Sequence, residues 1–378
     1  MGYLKFLPTL MSGVSSYPLY LIFFVTSKCT GRCHHCFYWR RTNLAENELD
    51  LVEIEKICRS MGDLLQVFLT GGDSAEREDL PQIARLFANI NHVLNITLVT
   101  NGWHSERVEK QVLEVLQTCP HTNITVDLTI DGLDGLHDEI RGRQGIFDHI
   151  VETGHRLMPF RNRFKNFNLC LNTTISSFNQ HELLRLYEWI KKEFNPTVYN
   201  AYLTRGEPRD MASLDYDLEY YVKLSDAMER DILEGNIRGY SMMGDILFAK
   251  DKIMRDIILK IHRRDEYQIP CTAGKLTGVV YPEGKVHICE LDPNPIGDLR
   301  AQDYDMRAIW TGSAVKARLE EIRQTRCHCI HQCFLTNNIL FNHRFWPQIA
   351  AKVFRYKFHR LGRRLTRRAT NADRNKFC

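Results

Sequence analysis

The sequence predicts an α/β protein, a partial (β/α)6 TIM-like barrel followed by a small C-terminal cysteine-rich α+β domain. Three observations carry that expectation. Between Leu19 and Leu203, six short apolar or β-branched runs alternate with helix-periodic stretches. From Pro270 to Arg300 the chain turns Gly- and Pro-rich and carries two further β-like runs. Eight of the twelve cysteines fall in two groups, one after the first strand and one after Pro270.

The strand runs are Leu19–Val25, Gln66–Thr70, Asn95–Thr100, Asn123–Ile130, Phe167–Ile175 and Thr197–Leu203. Each is nearly continuous in apolar or β-branched residues, as for strands covered on both faces of a parallel sheet. Amphipathic segments lie between them, such as Leu51–Met61 and Glu106–Leu116; the latter places Val108, Val112, Val115 and Leu116 on one face. Residues 215–262 are helical in period. Pro282-Glu283-Gly284 marks the turn of a hairpin between Leu276–Tyr281 and Lys285–Cys289. The expected divisions are an N-terminal extension 1–15, a barrel 16–235, a helical linker 236–268, a cysteine-rich domain 269–340 and a basic tail 341–378.

With 378 residues, 25% charged and 44% hydrophobic, the composition excludes a disordered or fibrous chain. Residues 1–17 carry only Lys5 and no apolar run ending in a cleavage site. The run Leu19–Val25 is far shorter than the roughly 20 residues of a membrane span. A soluble protein of the reducing cytoplasm is expected, its cysteines serving as metal ligands, thiolates or core. The net charge of +4 conceals an asymmetry. Residues 341–378 hold eleven Lys and Arg against Asp373 alone, so the tail is +10 and the remainder −6.

Cys29-x3-Cys33-x2-Cys36 follows the first strand directly. Three thiolates on a tight loop hold three irons of a 4Fe–4S cluster and leave the fourth open to a small ligand. Zinc, with His34 or His35 as fourth ligand, is the alternative. The loop sits at the C-terminal end of a barrel strand, where active sites collect. Gly71-Gly72-Asp73 ends the second strand and Thr100-Asn101-Gly102 the third. Thr129-Ile130-Asp131-Gly132 ends the fourth, followed by His137-Asp138 and Arg141-Gly142. Taken singly, Gly71-Gly72 and Asp131-Gly132 are ordinary turns.

Jointly, over about residues 16–235, these motifs resemble the radical S-adenosylmethionine (radical SAM) superfamily. The resemblance implies that Cys29, Cys33 and Cys36 ligate a reactive 4Fe–4S cluster. It implies an open iron that chelates S-adenosylmethionine, and reductive cleavage to a 5′-deoxyadenosyl radical that abstracts hydrogen from a substrate. Gly71, Gly72 and Asp73 are then expected at the methionine amino group, with Asp one methylene shorter than the family's Glu. His35 stands where the family has an aromatic residue near adenine. Asn101, Thr129, Asp131 and Arg141 are expected around the nucleoside and methionine. A reductant protein such as flavodoxin or ferredoxin is the implied electron donor.

Cys271-x12-Gly284-x4-Cys289, with Ile296-Gly297-Asp298-Leu299, resembles the opening of the SPASM and twitch auxiliary-cluster domains. Cys327-x-Cys329-x3-Cys333 departs from the longer SPASM pattern. The resemblance implies one auxiliary 4Fe–4S cluster on Cys271, Cys289, Cys333 and one of Cys327 or Cys329, with a structural zinc tetrathiolate as the alternative. Cys58, Cys119 and Cys170 are expected as small core residues, and Cys378 as an idle terminus.

In the tail, Trp346, Ala350, Val353, Phe354, Phe358, Leu361 and Leu365 recur at helical spacing opposite Lys352, Arg355, Arg360, Arg363 and Arg364. Three readings stand: a helix packed on the barrel, an interfacial helix at the inner membrane face, or a dock for an acidic peptide or nucleic acid. Nucleic acid ranks last, because no base-stacking platform accompanies the charge. Arg205, Glu207 and Asp210 follow the sixth strand, in the region of a substrate face, and read equally well as solvated loop charges. The expected substrate is a peptide or protein, a small molecule or sugar, or a lipid. A non-catalytic iron–sulfur electron carrier or zinc-stabilised binding module would have no need of the Gly-Gly-Asp and Thr-x-Asp motifs.

Overall fold

The computed structural model describes residues 2–237, Gly239 and 244–359. Six strands form the barrel: β1 (Tyr20–Thr26), β2 (Gln66–Gly71), β3 (Asn95–Thr100), β4 (Asn123–Thr129), β5 (Phe167–Ile175) and β6 (Val198–Leu203). All pair in parallel with their sequence neighbours. Their outward residues, among them Leu21, Val67, Leu69, Ile96, Ile124 and Leu169, are fully buried. They lie beneath helices Leu51–Ser60, Leu80–Ile90, Ser105–Thr118, Ile146–Leu157 and Leu183–Phe194. The inward positions are different in kind. Gln66, Asn95, Thr97, Asn123, Thr125 and Asp127 alternate with the apolar outer set, following the period-2 geometry of a strand.

Three more strands extend the same sheet: β7 (Thr277–Val280), β8 (Lys285–His287) and β9 (Gly297–Asp298), giving the order β6-β5-β4-β3-β2-β1-β7-β8-β9. β7 runs parallel to β1 with Tyr20 opposite Thr277 and Phe23 opposite Val280. The cysteine-rich segment therefore continues the barrel sheet instead of starting a separate one. The physical reason is the edge of β1, whose free amides and carbonyls take a partner on the side away from β2. At the other end, Gln332 serves β6. Its Oε1 accepts from Leu203 N at 2.9 Å and its Nε2 donates to Ala201 O at 2.8 Å. That side chain sits at the start of helix Gln332–Leu340 and satisfies two backbone groups of an otherwise bare edge.

The C-terminal helix spans 346–359. Its buried face is Ile349, Val353 and Tyr356, whereas Phe354 and Phe358 point outward. This corrects the expected apolar stripe: only Val353 of the central residues packs on the core, because burial follows the 349-353-356 row of the helix. Arg360 to Cys378, including Leu361 and Leu365, lie outside the described residues. Among the described residues no helix is long and apolar enough to cross a membrane.

One node locks the β7–β9 unit to the barrel. Arg300 meets Glu53 through Nε–Oε1 at 2.7 Å and Nη2–Oε2 at 2.9 Å, and also donates to the carbonyl oxygens of Asn47 and Glu283. The Arg300 hydrogen bonds hold the Glu53 carboxyl at about 2, well below its ordinary 4.5. A depressed carboxyl stabilises the fold above its unfolded value and loses that contribution as pH falls through the folded one. Glu53→Gln should cost about 2 kcal/mol at pH 7 in urea unfolding. The wild-type advantage should shrink between about pH 4.5 and pH 2; a pH-independent difference would refute this linkage.

Candidate functional site

The site begins where β1 ends. The β1–β2 register slips between Phe24 and Thr26, and the chain leaves the sheet as the Cys29–Cys36 loop. Backbone bonds strap this loop from several sides. Gly72 N donates to Thr26 O at 2.9 Å and Asp73 N to Lys28 O at 2.8 Å. Arg32 N donates to Arg141 O at 2.7 Å and His34 N to Ile140 O at 2.9 Å. From the loop after β6, Arg209 N reaches Cys36 O at 3.1 Å and Asp210 N reaches His34 O at 2.9 Å. Asn43, in the left-handed region at φ 61°, clamps Cys29 from both sides, its Oδ1 accepting from Cys29 N and its Nδ2 donating to Cys29 O. Glu48 accepts Ser27 N at 2.6 Å. Asn43 and Glu48 belong to no motif in the sequence, and only their proximity reveals their part.

The glycines have a packing reason. A Cβ on Gly71 would stand 2.2 Å from Thr26 O, and one on Gly72 2.3 Å from Lys28 O. Gly71 also has φ +149°. Asp73 is buried, with Oδ2 accepting Asn101 N and Oδ1 accepting Ala75 N, each at 2.9 Å. Burial raises its carboxyl pKa against these bonds. Both Asp73 oxygens thus organise the ends of β2 and β3. Asn101 Nδ2 donates to Thr30 Oγ1 at 3.1 Å and lies 3.9 Å from Cys29 Sγ.

Beneath the loop, Asp131 and Arg141 form a buried ion pair, Nε–Oδ2 2.7 Å. Arg141 Nη1 lies 3.5 Å from Cys33 Sγ and Nη2 donates to Thr129 O at 3.1 Å. Asp131 Oδ1 accepts Thr174 N at 2.8 Å, and His35 Nε2 stands 3.6 Å from Oδ2. Burial would raise the Asp131 pKa, but Arg141 with His35 and His137 brings it below the usual value. Burial lowers His35 to about 4 despite Asp131, so its ring is neutral near pH 7. His35 Nδ1 and His137 Nε2 are buried polar atoms without a hydrogen-bond partner. Thr129, Asp131, Arg141, His35, Asn101, Asp73 and the three thiols are thus brought into one mouth. Asp210 pairs with His34 at 3.1 Å, and Glu207 pairs with Arg40 in solvent.

The second cysteine group lies beside this mouth. Cys271 carries the charge influence of Cys329 and Cys327, and Cys289 that of Cys329 and Cys271. Cys333 has other neighbours: Arg205, Glu290, Asp127 and Lys250. Burial pushes Cys36, Cys271 and Cys333 each up to about 12, so as free thiols they would stay protonated. Arg205 joins the two groups. It stacks over Phe37, next to Cys36, at 4.8 Å and faces Glu290, next to Cys289, at 3.6 Å. Glu290 Oε2 also meets His331 Nε2 at 2.5 Å.

Below the mouth the barrel holds a cavity of about 880 Å³. Asp127, Cys170, Asn200, Tyr202 and Cys333 line its inner end. Asp127 is opposite Cys170 on β5, and one carboxylate oxygen, Oδ1, has no partner. Burial raises its pKa to about 6, against hydrogen bonds from Asn172 and Cys170. It sits two residues, about 7 Å, below Thr129 on the lumen face of β4. Cys170, read from the sequence as core, is buried but faces this cavity, with Asn200 Nδ2 at 3.2 Å from its sulfur. The polar alternation Asn123-x-Thr125-x-Asp127 and Asn168-x-Cys170-x-Asn172 was the available signal. It was masked by the overall apolarity of the runs.

Comparison with known proteins accords with this geometry. Residues 23–218 match the signature of the Radical SAM superfamily. A GTP 3′,8-cyclase of Actinobacillus pleuropneumoniae serotype 5b is 26% identical over 177 residues, 46% of this chain and 49% of the relative. The chain spans about half the length of the curated relatives it matches first. The sporulation killing factor maturation protein SkfB of Bacillus subtilis is 24% identical over 315 residues, 81% of this chain and 67% of that protein. Streptococcus suis SuiB, in a crystal structure bound to precursor peptide SuiA, superposes with a TM-score of 0.59 at 16% identity, covering 83% of this chain and 68% of SuiB. At that identity the likeness to SuiB is one of fold.

Gly72→Ala should push the Ser27–Lys28 backbone out of place, lowering Tm by several degrees and the iron bound by the adjacent loop together. Wild-type Tm and iron content in this variant would show that the strap yields without consequence.

Proposed function

The chain belongs to the radical SAM superfamily, and on that premise we propose that it abstracts a hydrogen atom from an organic substrate held in the barrel lumen. The observation that carries this reading is the stacking of one site on the other. A three-thiol mouth, with Arg141 beside Cys33, stands at the C-terminal ends of the strands whose lumen faces line the cavity, and the inner end of that cavity carries the buried Asp127, whose Oδ1 has no partner.

The donor set fits a 4Fe–4S cluster at Cys29, Cys33 and Cys36, with Arg141 beside Cys33 and Asn101 beside Cys29 to compensate thiolate charge. When bound, the cluster supplies the electron that splits a C–S bond of S-adenosylmethionine. The chain's own part is to bind, orient and exclude water. Neutral His35 offers a flat, buried face and its free Nδ1 at the mouth. Asp131 and Arg141 hold the floor, with Thr129, Asn101 and the Gly71-Gly72-Asp73 turn as the remaining contacts for the nucleoside and methionine. Asp127 anchors a hydrogen-bond donor of the substrate. For an auxiliary 4Fe–4S cluster we assign Cys271, Cys289, Cys327 and Cys329, since Cys329 is felt by both Cys271 and Cys289 and Cys327 by both Cys271 and Cys329, with Cys333 left as lumen wall.

Modification of a peptide or protein is favoured by the similarity to SkfB, a maturation protein, over 81% of this chain. Oxidation of a small molecule or lipid is favoured by the cavity of about 880 Å³ within the barrel. A flavodoxin- or ferredoxin-type reductant supplies the electron in either case.

Anaerobically purified protein should carry about eight irons. The Cys29→Ala/Cys33→Ala/Cys36→Ala variant should keep about four and form no 5′-deoxyadenosine under reduction. Cys271→Ala/Cys289→Ala should also keep about four, and Cys333→Ala about eight. A loss of about four irons in Cys333→Ala would return that residue to the ligand set. Asp127→Asn should retain iron and 5′-deoxyadenosine formation, while turnover of substrate falls about 100-fold or more. Unchanged turnover would remove Asp127 from the substrate pocket.

A further inference from the structure

Two segments, residues 2–14 and 346–359, converge on one side of the barrel. The N-terminal segment forms a 3-10 turn, Gly2–Phe6, and a helix, Leu7–Ser12. It leaves Leu4 69%, Met11 68% and Val14 72% exposed, with Leu7 partly so. The helix over 346–359 leaves Phe354 70% and Phe358 69% exposed, their rings stacked at 6.2 Å. Tyr3 and Leu10 of the first segment share the lumen cavity wall with Trp346, Ile349 and Val353 of the second. Leu10 and Phe341 pack on the same small cluster, Phe6, Leu19 and Leu276. Both segments thus border the N-terminal ends of the barrel strands, where Asn95 of β3 bonds Tyr3 Oη at 3.0 Å. The cysteine loop is at the opposite ends of the same strands.

We propose that this face docks on an anionic lipid bilayer. Single apolar residues on a surface are ordinary, but aromatic and aliphatic side chains gathered from two separate segments are not. Charge selects the partner. Arg355 and Lys357 are exposed beside the two phenylalanines, and residues 341–359 carry Arg344, Lys352, Arg355 and Lys357 with no acidic residue among them. Apolar side chains enter the headgroup boundary while the cations meet anionic headgroups, the division of labour of an interfacial helix. A bilayer matches both halves of the pattern, whereas an acidic peptide answers only the charge. The arrangement turns the cysteine mouth away from the lipid and toward a soluble reductant.

The test is co-sedimentation of the intact holoprotein with vesicles of equal parts phosphatidylglycerol and phosphatidylcholine. The protein should pellet with them, bind phosphatidylcholine vesicles at least about tenfold less, and be released by salt. Phe354→Glu/Phe358→Glu and, separately, Met11→Glu/Val14→Glu should each reduce binding about tenfold. Iron content and 5′-deoxyadenosine formation should stay at wild-type values in both. Equal binding by wild type and both variants overturns the proposal, as does equal binding to the two vesicle types. Sedimentation that shows a Phe354-dependent dimer in place of vesicle binding overturns it too, and assigns the face to a second copy of this chain.

Discussion

The arrangement of the site depends on one buried ion pair. Asp131 and Arg141 leave water almost entirely, and a charge moved into that environment is costly unless its partner and remaining hydrogen-bond sites are filled. Here they are filled by the parts that must be positioned. Arg141 spends its second and third nitrogens on Cys33 Sγ and Thr129 O, and Asp131 spends its other oxygen on Thr174 N. The pair therefore ties the cysteine loop to β4 and β5 at once. His35 completes it from the loop side, held neutral by the same burial.

The backbone around the pair explains why the motifs read as they do. Gly71 and Gly72 look like ligand-approach glycines in the sequence, yet their missing side chains make room for Thr26, Ser27 and Lys28. The Asp73 carboxylate is taken up by the amides of Ala75 and Asn101. A shorter side chain than Glu suits that work, because both amides belong to the immediate strand ends. The motif's first task is to fix the loop that carries Cys29.

Much of this was legible in the sequence, and the illegible part has a common cause. Strand runs, helices and mouth residues were marked by local signals: apolar period, turn residues, cysteine spacing. Asn43 and Glu48 carried no such signal, since each acts across the loop on a backbone group. Gln332 is another case, a single amide substituting for a strand at the edge of β6. The lumen was hidden by averaging, because Asn168, Cys170 and Asn172 sit among outer-face leucines. In the C-terminal helix, apolar residues exceeded what one face could bury, and the packing against the barrel chose Ile349, Val353 and Tyr356 over the phenylalanines.

A six-stranded sheet that does not close has two edges and an open side, and residues 270–359 attend to all three. β7 covers the edge of β1, Gln332 covers β6, and helix Gln332–Leu340 with the 346–359 helix walls the lumen. The segment with the second cysteine group is therefore structural to the barrel before it is anything else. That placement also sets the chemistry available to it. Arg205 and Glu290 lie between the two cysteine groups, and Cys333 and Asp127 line the same cavity. The helix that walls the open side of the sheet is therefore also the one that brings Cys333 to the cavity.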